Sequence, residues 1–442
     1  MKIQLSDHFN YRHLMRFTAP SILMMIFTSV YGVVDGFFVS NFAGKTAFAA
    51  VNFIMPYLIM LGAVGFMLGT GGSALVAKTL GEGDRARANG IFSFIVYLTL
   101  GGGVLLSLGG ILFLPTAAAL LGAEGEMLSG CILYGRIILC ALPAFMLQIL
   151  FQSFFVTAEK PQLGLWVTVA SGCANILLDA LLVGLLPLGL VGAAMATAIS
   201  QAVGGIVPLF YFAGRNKSLL RLGRPLLSGL ALWRTLSNGS SEFLSNISMS
   251  LVGMLYNFQL MRYAGENGVA AYGVLMYVGM IFMAIFIGYT IGVAPVVGYH
   301  FGAENRKELQ SLLGKSLLLI GICSVGMLAL GEALALPLSH LFTGYDPALF
   351  AITKQGFFIY SVSFLFSGIA IFASGFFTAL NNGAVSALIS SLRTVVFQTA
   401  AVLLLPLWWE LDGLWFSIVV AELLAALVAI LCLGANRKKY GY

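Results

Sequence analysis

Four residues of the first half are of the kind that hold a proton or a hard cation inside lipid. Asp35 stands in the stretch from Phe17 to Ala77, where Lys45 is the only other charge. Its left flank, PSILMMIFTSVYGVVD, has the composition of a membrane helix. A carboxylate at that depth is costly unless something pairs it, protonates it or binds a cation to it. Asp179, in SGCANILLDALLVGLLP, repeats the situation. Asn175 lies four residues before Asp179 and therefore shares its helix face. Thr197 falls on the next span, with Gln201 one turn further along. Asp35, Asn175, Asp179 and Thr197 offer oxygen ligands and no sulfur or imidazole, a set suited to Na⁺ or to a proton shared between carboxylates. Two such acids close together cannot both stay ionised cheaply, so one takes up a proton or a cation neutralises the pair. A site of this kind couples ion occupancy to helix movement. Pro20, fifteen residues before Asp35 in the same span, is a hinge candidate because its missing N–H lets the helix bend.

Other polar residues are secondary. Glu242, in NGSSEF, reads either as a first-turn carboxylate favoured by the helix dipole or as part of a second-half ion site. Glu422, mid-span in IVVAELLAAL, is a candidate proton or substrate-charge site. Arg393 reads as a side chain snorkelling toward the membrane surface rather than paired with an acid. Enzymatic chemistry finds no footing: no nucleophile–base pair and no His/Asp set occurs at helical spacing. The five cysteines are scattered through apolar segments without metal-ligand spacing. The glycine runs GTGG and GGG follow no strand and lack the Lys-Ser/Thr of a phosphate loop. The expectation is a protein that is not an enzyme and carries no cofactor.

These residues need membrane helices to position them. Of 442 residues, 60% are hydrophobic and only 9% charged, against about 25% charged in an ordinary soluble domain. The chain reads as an all-α polytopic membrane protein with about twelve spans. The net charge of +6 is explained by loop sorting and gives no reason to expect nucleic acid. Most Lys and Arg fall in alternate loops, Lys2, Arg85 and Lys160 on one side, Lys45 and Lys354 on the other. The positive-inside rule then puts both termini in the cytoplasm of a cell whose inner membrane the chain spans.

The chain is also written twice. FAGKTAFAAVNF around Gly44 matches YAGENGVAAYGV around Gly265, and AKTLGEGDRARA around Gly81 matches GYHFGAENRKEL around Gly302, each 221 residues apart in a chain of 442. The expected organisation is an N-terminal six-helix lobe (1–213), a basic linker (214–238) and a C-terminal six-helix lobe (239–442), the two bundles being parallel and pseudo-symmetric. For the linker, an amphipathic surface helix and a solvated tether both fit. At the same offsets Asp35 maps to Tyr256, Asn175 to Phe397, Asp179 to Ala401 and Thr197 to Ile418. The polar set belongs to the first lobe alone.

On these residues the chain resembles the multidrug and toxic compound extrusion (MATE) family over essentially its whole length, most closely the DinF-like prokaryotic branch. That branch carries an Asp on the first helix, Asn-x-x-x-Asp on the fifth and Thr on the sixth, matched here by Asp35, Asn175, Asp179 and Thr197, with Pro20 at the family's bending proline. The resemblance implies efflux of organic, often cationic or amphipathic compounds by alternating access, driven by Na⁺ or H⁺. The expected partners are small-molecule drugs and the lipid bilayer, and the expected state is a monomer. A flippase of the same superfamily for lipid-linked sugars is the alternative. The family's NorM-like branch places an acid deeper in the seventh helix than Glu242 stands.

Overall fold

The computed structural model describes residues 3–186 and 188–442, and only the backbone of Ser40, Lys45 and Phe48; Lys2 and the Lys45 side chain, counted above among the loop charges, lie outside it. The described residues form helices and no strand. In chain order these are α1 (Tyr11–Phe38), α2 (Lys45–Gly81), α3 (Arg85–Leu120), α4 (Gly125–Cys140), α5 (Leu142–Thr157), α6 (Pro161–Asp179) and α7 (Gly189–Ala213). After the linker come α8 (Gly229–Gly302), α9 (Arg306–Thr343), α10 (Pro347–Ser361), α11 (Phe364–Ala379), α12 (Gly383–Ser391), α13 (Gln398–Leu404) and α14 (Pro406–Tyr440).

Nine of these stretches are long and apolar enough to cross a bilayer, and the bent pairs α4–α5 (54°) and α10–α11 (49°) bring the number to eleven. The 74-residue α8 supplies the twelfth. Straight, it would be about 110 Å long, several bilayer thicknesses, but Gly265 breaks it with φ 61° and ψ −151°. It is therefore two antiparallel limbs joined at a glycine. α1 runs unbroken through Pro20.

The 221-residue period of the sequence recurs in the backbone. Left-handed φ values fall at Gly44 and Gly265, at Gly83 and Glu304, and at Gly189 and Glu410, each pair 221 residues apart, and at Glu159 and Asn381, 222 apart. Asp84 caps α3 by accepting from the Arg87 N–H at 2.9 Å. Its counterpart Asn305 caps α9 by accepting from the Glu308 N–H at 3.2 Å.

Both chain ends meet the start of α9. The Phe9 N–H donates to Glu308 Oε1 at 2.9 Å, and Gln310 Nε2 donates to the Gly441 carbonyl at 3.0 Å. At this terminal face the first-lobe helices α1 and α2 lie against both limbs of α8 with glycine at every close approach. A Cβ on Gly81 would lie 1.9 Å from the Tyr299 carbonyl oxygen, and one on Gly302 2.0 Å from that of Lys78. Those two contacts are images of each other under the 221-residue shift. So are Gly71 on Gly239 and Gly292 on Thr18. Away from this face α2 and α8 lose their cover: residues 71–77 are buried whereas Ile59 and Met60 are exposed, and 295–298 are buried whereas Tyr277 and Met280 are exposed. The junction is tightest at the terminal face and loosens from there.

The linker is not a surface helix. Residues 214–228 run extended, held to the start of α3 by Arg221 N–H to Asn89 Oδ1 at 2.8 Å, Gly223 N–H to Ser93 Oγ at 2.9 Å and Leu226 N–H to the Gly90 carbonyl at 2.9 Å. These bonds satisfy backbone groups that a helix would have paired internally. α8 begins at Gly229, inside the expected linker, where the Ser228 hydroxyl caps it.

Candidate functional site

Both aspartates sit where their helices widen locally into π-turns. α1 passes four residues after Asp35 into a π-turn, Val39–Ala43, whose first N–H donates back to the Asp35 carbonyl. α6 ends at Asp179 itself and continues as a second π-turn, Ala180–Leu185. Such turns hold weaker hydrogen bonds than the α-helix and favour functional positions.

Tertiary packing brings the expected residues together. The Thr197 hydroxyl, from α7, donates to Asp35 Oδ1 at 3.3 Å. Asp179 and Asn175 lie beside the Asp35 carboxylate, close enough to interact with it. Asp35 is half-buried, while Asn175 is 2% and Asp179 0% exposed. The cluster is thus entered from the Asp35 side, and Asp179 is sealed behind it. Neither Asp179 oxygen has a hydrogen-bond donor, and Asn175 Oδ1 has none either. Asp35 has the Thr197 hydroxyl as donor and Asp179 has none, an arrangement that is stable when a proton or a cation stands between the two carboxylates. Na⁺ fits this donor set, since the orphaned atoms are all oxygens. Among the described residues no group of three or more His, Cys, Asp or Glu gathers, so a transition-metal centre has no ligand set here.

Several contributors escaped sequence reasoning. Tyr134, buried on α4, lies near Thr197 and both aspartates. Tyr31, one turn before Asp35, reaches Gln148. Gln148 donates to the Ser171 hydroxyl at 3.3 Å, and Ser171 donates to the Ser200 carbonyl at 2.6 Å. Tyr31 could have been found from its i−4 spacing to Asp35; nothing local marks Tyr134. Gln201 lies on α7 with its Oε1 buried and without a donor. Pro20 is buried where α1 meets the second limb of α8, next to Ser21 and Ile22, which touch Gly288.

The second lobe is organised differently. Arg393 does not snorkel: its Nε donates to Glu422 Oε1 at 3.0 Å and Oε2 at 2.9 Å. Glu422 is 1% exposed. At that depth an unpaired guanidinium and an unpaired carboxylate are both expensive, and pairing them across two helices relieves both. Glu242, half-buried on the first limb of α8, lies in the field of Arg393 without a salt bridge to it. Tyr256, the positional counterpart of Asp35, is buried with its hydroxyl unpartnered and stacks on Tyr272 with ring centroids 5.1 Å apart. The predicted residues therefore divide: Asp35, Asn175, Asp179 and Thr197 form one cluster, and Glu242 and Glu422 belong to another, around Arg393.

The MatE family model matches the chain twice, over residues 20–181 and 243–403. A multidrug export protein, MepA, of Staphylococcus aureus is 25% identical over 431 residues, spanning 95% of this chain and 93% of its own. Its counterpart from Staphylococcus haemolyticus is 24% identical over 435 residues, covering 97% and 94%. Among solved structures, a MATE protein in complex with MaL6 superposes with a TM-score of 0.93 at 22% identity, covering 98% of both chains. A multidrug resistance MATE family transporter in an outward-facing conformation superposes at 0.92 and 21% identity, over 98% of this chain and 97% of that one.

Proposed function

We propose that this chain, which belongs to the MatE family, is a cation-coupled multidrug efflux antiporter that exports organic, often cationic or amphipathic compounds by alternating access. The carrying observation is the Asp35–Asp179 cluster: two carboxylates beside each other, no donor on Asp179, and Asp35 the more exposed of the two. Full-length similarity to multidrug export proteins supports the cargo class. H⁺ or Na⁺ enters at Asp35 and neutralises the pair. Neutralisation removes the repulsion between α1 and α6, and the π-turn beside each aspartate gives those helices a place to repack. The two lobes then exchange the end at which they are joined, around the cavity that holds the drug.

In this proposal the terminal face lies in the cytoplasm, an orientation the loop charges support, and the chain acts as a monomer in the cytoplasmic membrane. In that orientation the junction is tight on the cytoplasmic side. The flippase alternative gains nothing from the second lobe, because Glu422 already occupies the mid-span Arg393 that would hold a pyrophosphate.

The test is efflux of a fluorescent organic cation from proteoliposomes under separately imposed Na⁺ and pH gradients. At least one gradient drives uphill movement, and Asp35→Asn, folded and monodisperse, falls to background. Gradient-independent flux, or full transport by Asp35→Asn, overturns the assignment.

A further inference from the structure

Residues 3–10, ahead of α1, cross from one lobe to the other and back. The Leu5 N–H donates to Glu159 Oε1 at 2.7 Å, in the α5–α6 turn of the first lobe, where Glu159 itself is held at φ 58°. Four residues on, the Phe9 N–H donates to Glu308 Oε1 at 2.9 Å and His8 Nδ1 meets Glu308 Oε2 at 2.6 Å. Glu308 belongs to α9 of the second lobe, and so does Lys315, whose Nζ donates to the Phe9 carbonyl. Leu5 and Phe9 are both 0% exposed and sit in a hydrophobic cluster that joins Leu14, Phe17 and Val156 of the first lobe to the second lobe's core, with Phe9 packed edge-on against Phe17. The segment keeps its own shape: the Gln4 N–H donates to Asp7 Oδ2 at 2.8 Å, and Asn10 caps α1. Beneath it lies a cavity of about 180 Å³ bounded by Gln4, Ser6, Leu80, Glu159 and, from the second lobe, Tyr299.

We propose that residues 3–10 form a strap that fastens the two lobes together at the terminal face and must release before that face can open. Two anchors of opposite lobes, Glu159 and Glu308, accept backbone N–H groups only four positions apart in the chain, because Leu5 to Phe9 spans the seam between them. Separating the lobes breaks one set of bonds or the other and lifts Leu5 or Phe9 into water. The strap thus biases the lobes toward the closed terminal face by the bonds and apolar area that opening removes. The inference rests on the alternating-access reading in one respect, that the terminal face opens during the cycle.

The experiment uses the full chain with its five native cysteines replaced. Ala77 is 0% exposed and packs on Gly298 across the seam, so Ala77→Cys reports opening through maleimide labelling in the absence of drug or gradient. Leu5→Asp is expected to speed that labelling at least about tenfold, a shift the lost burial of one leucine can supply. In a second variant, Gln4→Cys with Glu159→Cys, which line one cavity, is combined with His8→Cys and Glu308→Cys, and a short bis-methanethiosulfonate reagent ties the strap to both lobes at once. Efflux is expected to fall at least about tenfold and to return on reduction. Unchanged labelling in folded Leu5→Asp, or wild-type efflux with the bridge intact, overturns the strap. If Leu5→Asp does not fold, the bridged variant decides alone. Labelling requires no coupling ion, so its result separates failure of the strap from failure of the antiporter assignment.

Discussion

At the scale of single residues, the two lobes have solved the problem of charge in lipid in opposite ways. Among the described residues the first gives Asp35 and Asp179 no basic partner, and on the proposed reading a mobile ion neutralises them. The second holds Glu422 with a permanent partner, Arg393, so nothing mobile is required. Removing Arg393 should therefore be far worse for stability than removing the pair. Arg393→Ala strands the buried Glu422 carboxylate and is expected to destabilise the protein by about 3–5 kcal/mol. Arg393→Met combined with Glu422→Leu should recover most of that. Thermal unfolding in detergent checks the order; equal loss in the single and double variants contradicts it. The Asp cluster was legible in the chain because a carboxylate in an apolar run is anomalous wherever its helix points. The Arg393–Glu422 pair was not, because 29 residues and two helices separate the partners and their meeting depends on how those helices rotate.

At the scale of elements, the positions of strain matter more than the helices themselves. Gly44 (φ 94°, ψ 164°) and Gly265 (φ 61°, ψ −151°) occupy a backbone region that is essentially reserved to glycine, and both link the first and second spans of a lobe. A Cβ at either would meet nothing within 4 Å, so substitution introduces backbone strain without a clash. Gly265→Ala is expected to cost about 1–3 kcal/mol, read as a lowered unfolding midpoint, and Gly44→Ala the same. Gly273→Ala, also in open space but at ordinary helical φ, serves as the control and should show no such loss. The sequence displayed these glycines as part of the repeat. It could not show that both limbs of α8 would stay helical right up to Gly265, since that depends on the helical geometry resuming at once on either side of the corner.

For the whole molecule, the decisive surface is the seam at the terminal face, built from paired glycines. Gly302 against Lys78 and Gly81 against Tyr299 are the same contact seen from each lobe. Gly302→Val places atoms where the Lys78 carbonyl oxygen lies, 2.0 Å from the added Cβ, and backbone cannot yield as a side chain end does. The seam should then fail to close, and drug efflux should drop at least about tenfold while Gly314→Val, on open space, keeps wild-type efflux. Equal efflux in the two variants would mean that closure of this seam is not part of the cycle.

The chain by itself determined that this protein lives in lipid, because 60% hydrophobic residues leave no alternative to burying helices in a bilayer. It also determined the twofold writing of the fold and singled out four polar residues of the first lobe, since period and misplaced charge are properties of order alone. Tertiary structure decided the rest: that Tyr134 joins the aspartates, that Glu422 captures Arg393, that the linker lies extended along α3, and that residues 3–10 span the seam. Each of those depends on the rotation of one helix relative to another, and helix rotation is set by side-chain packing between segments that are distant in the chain.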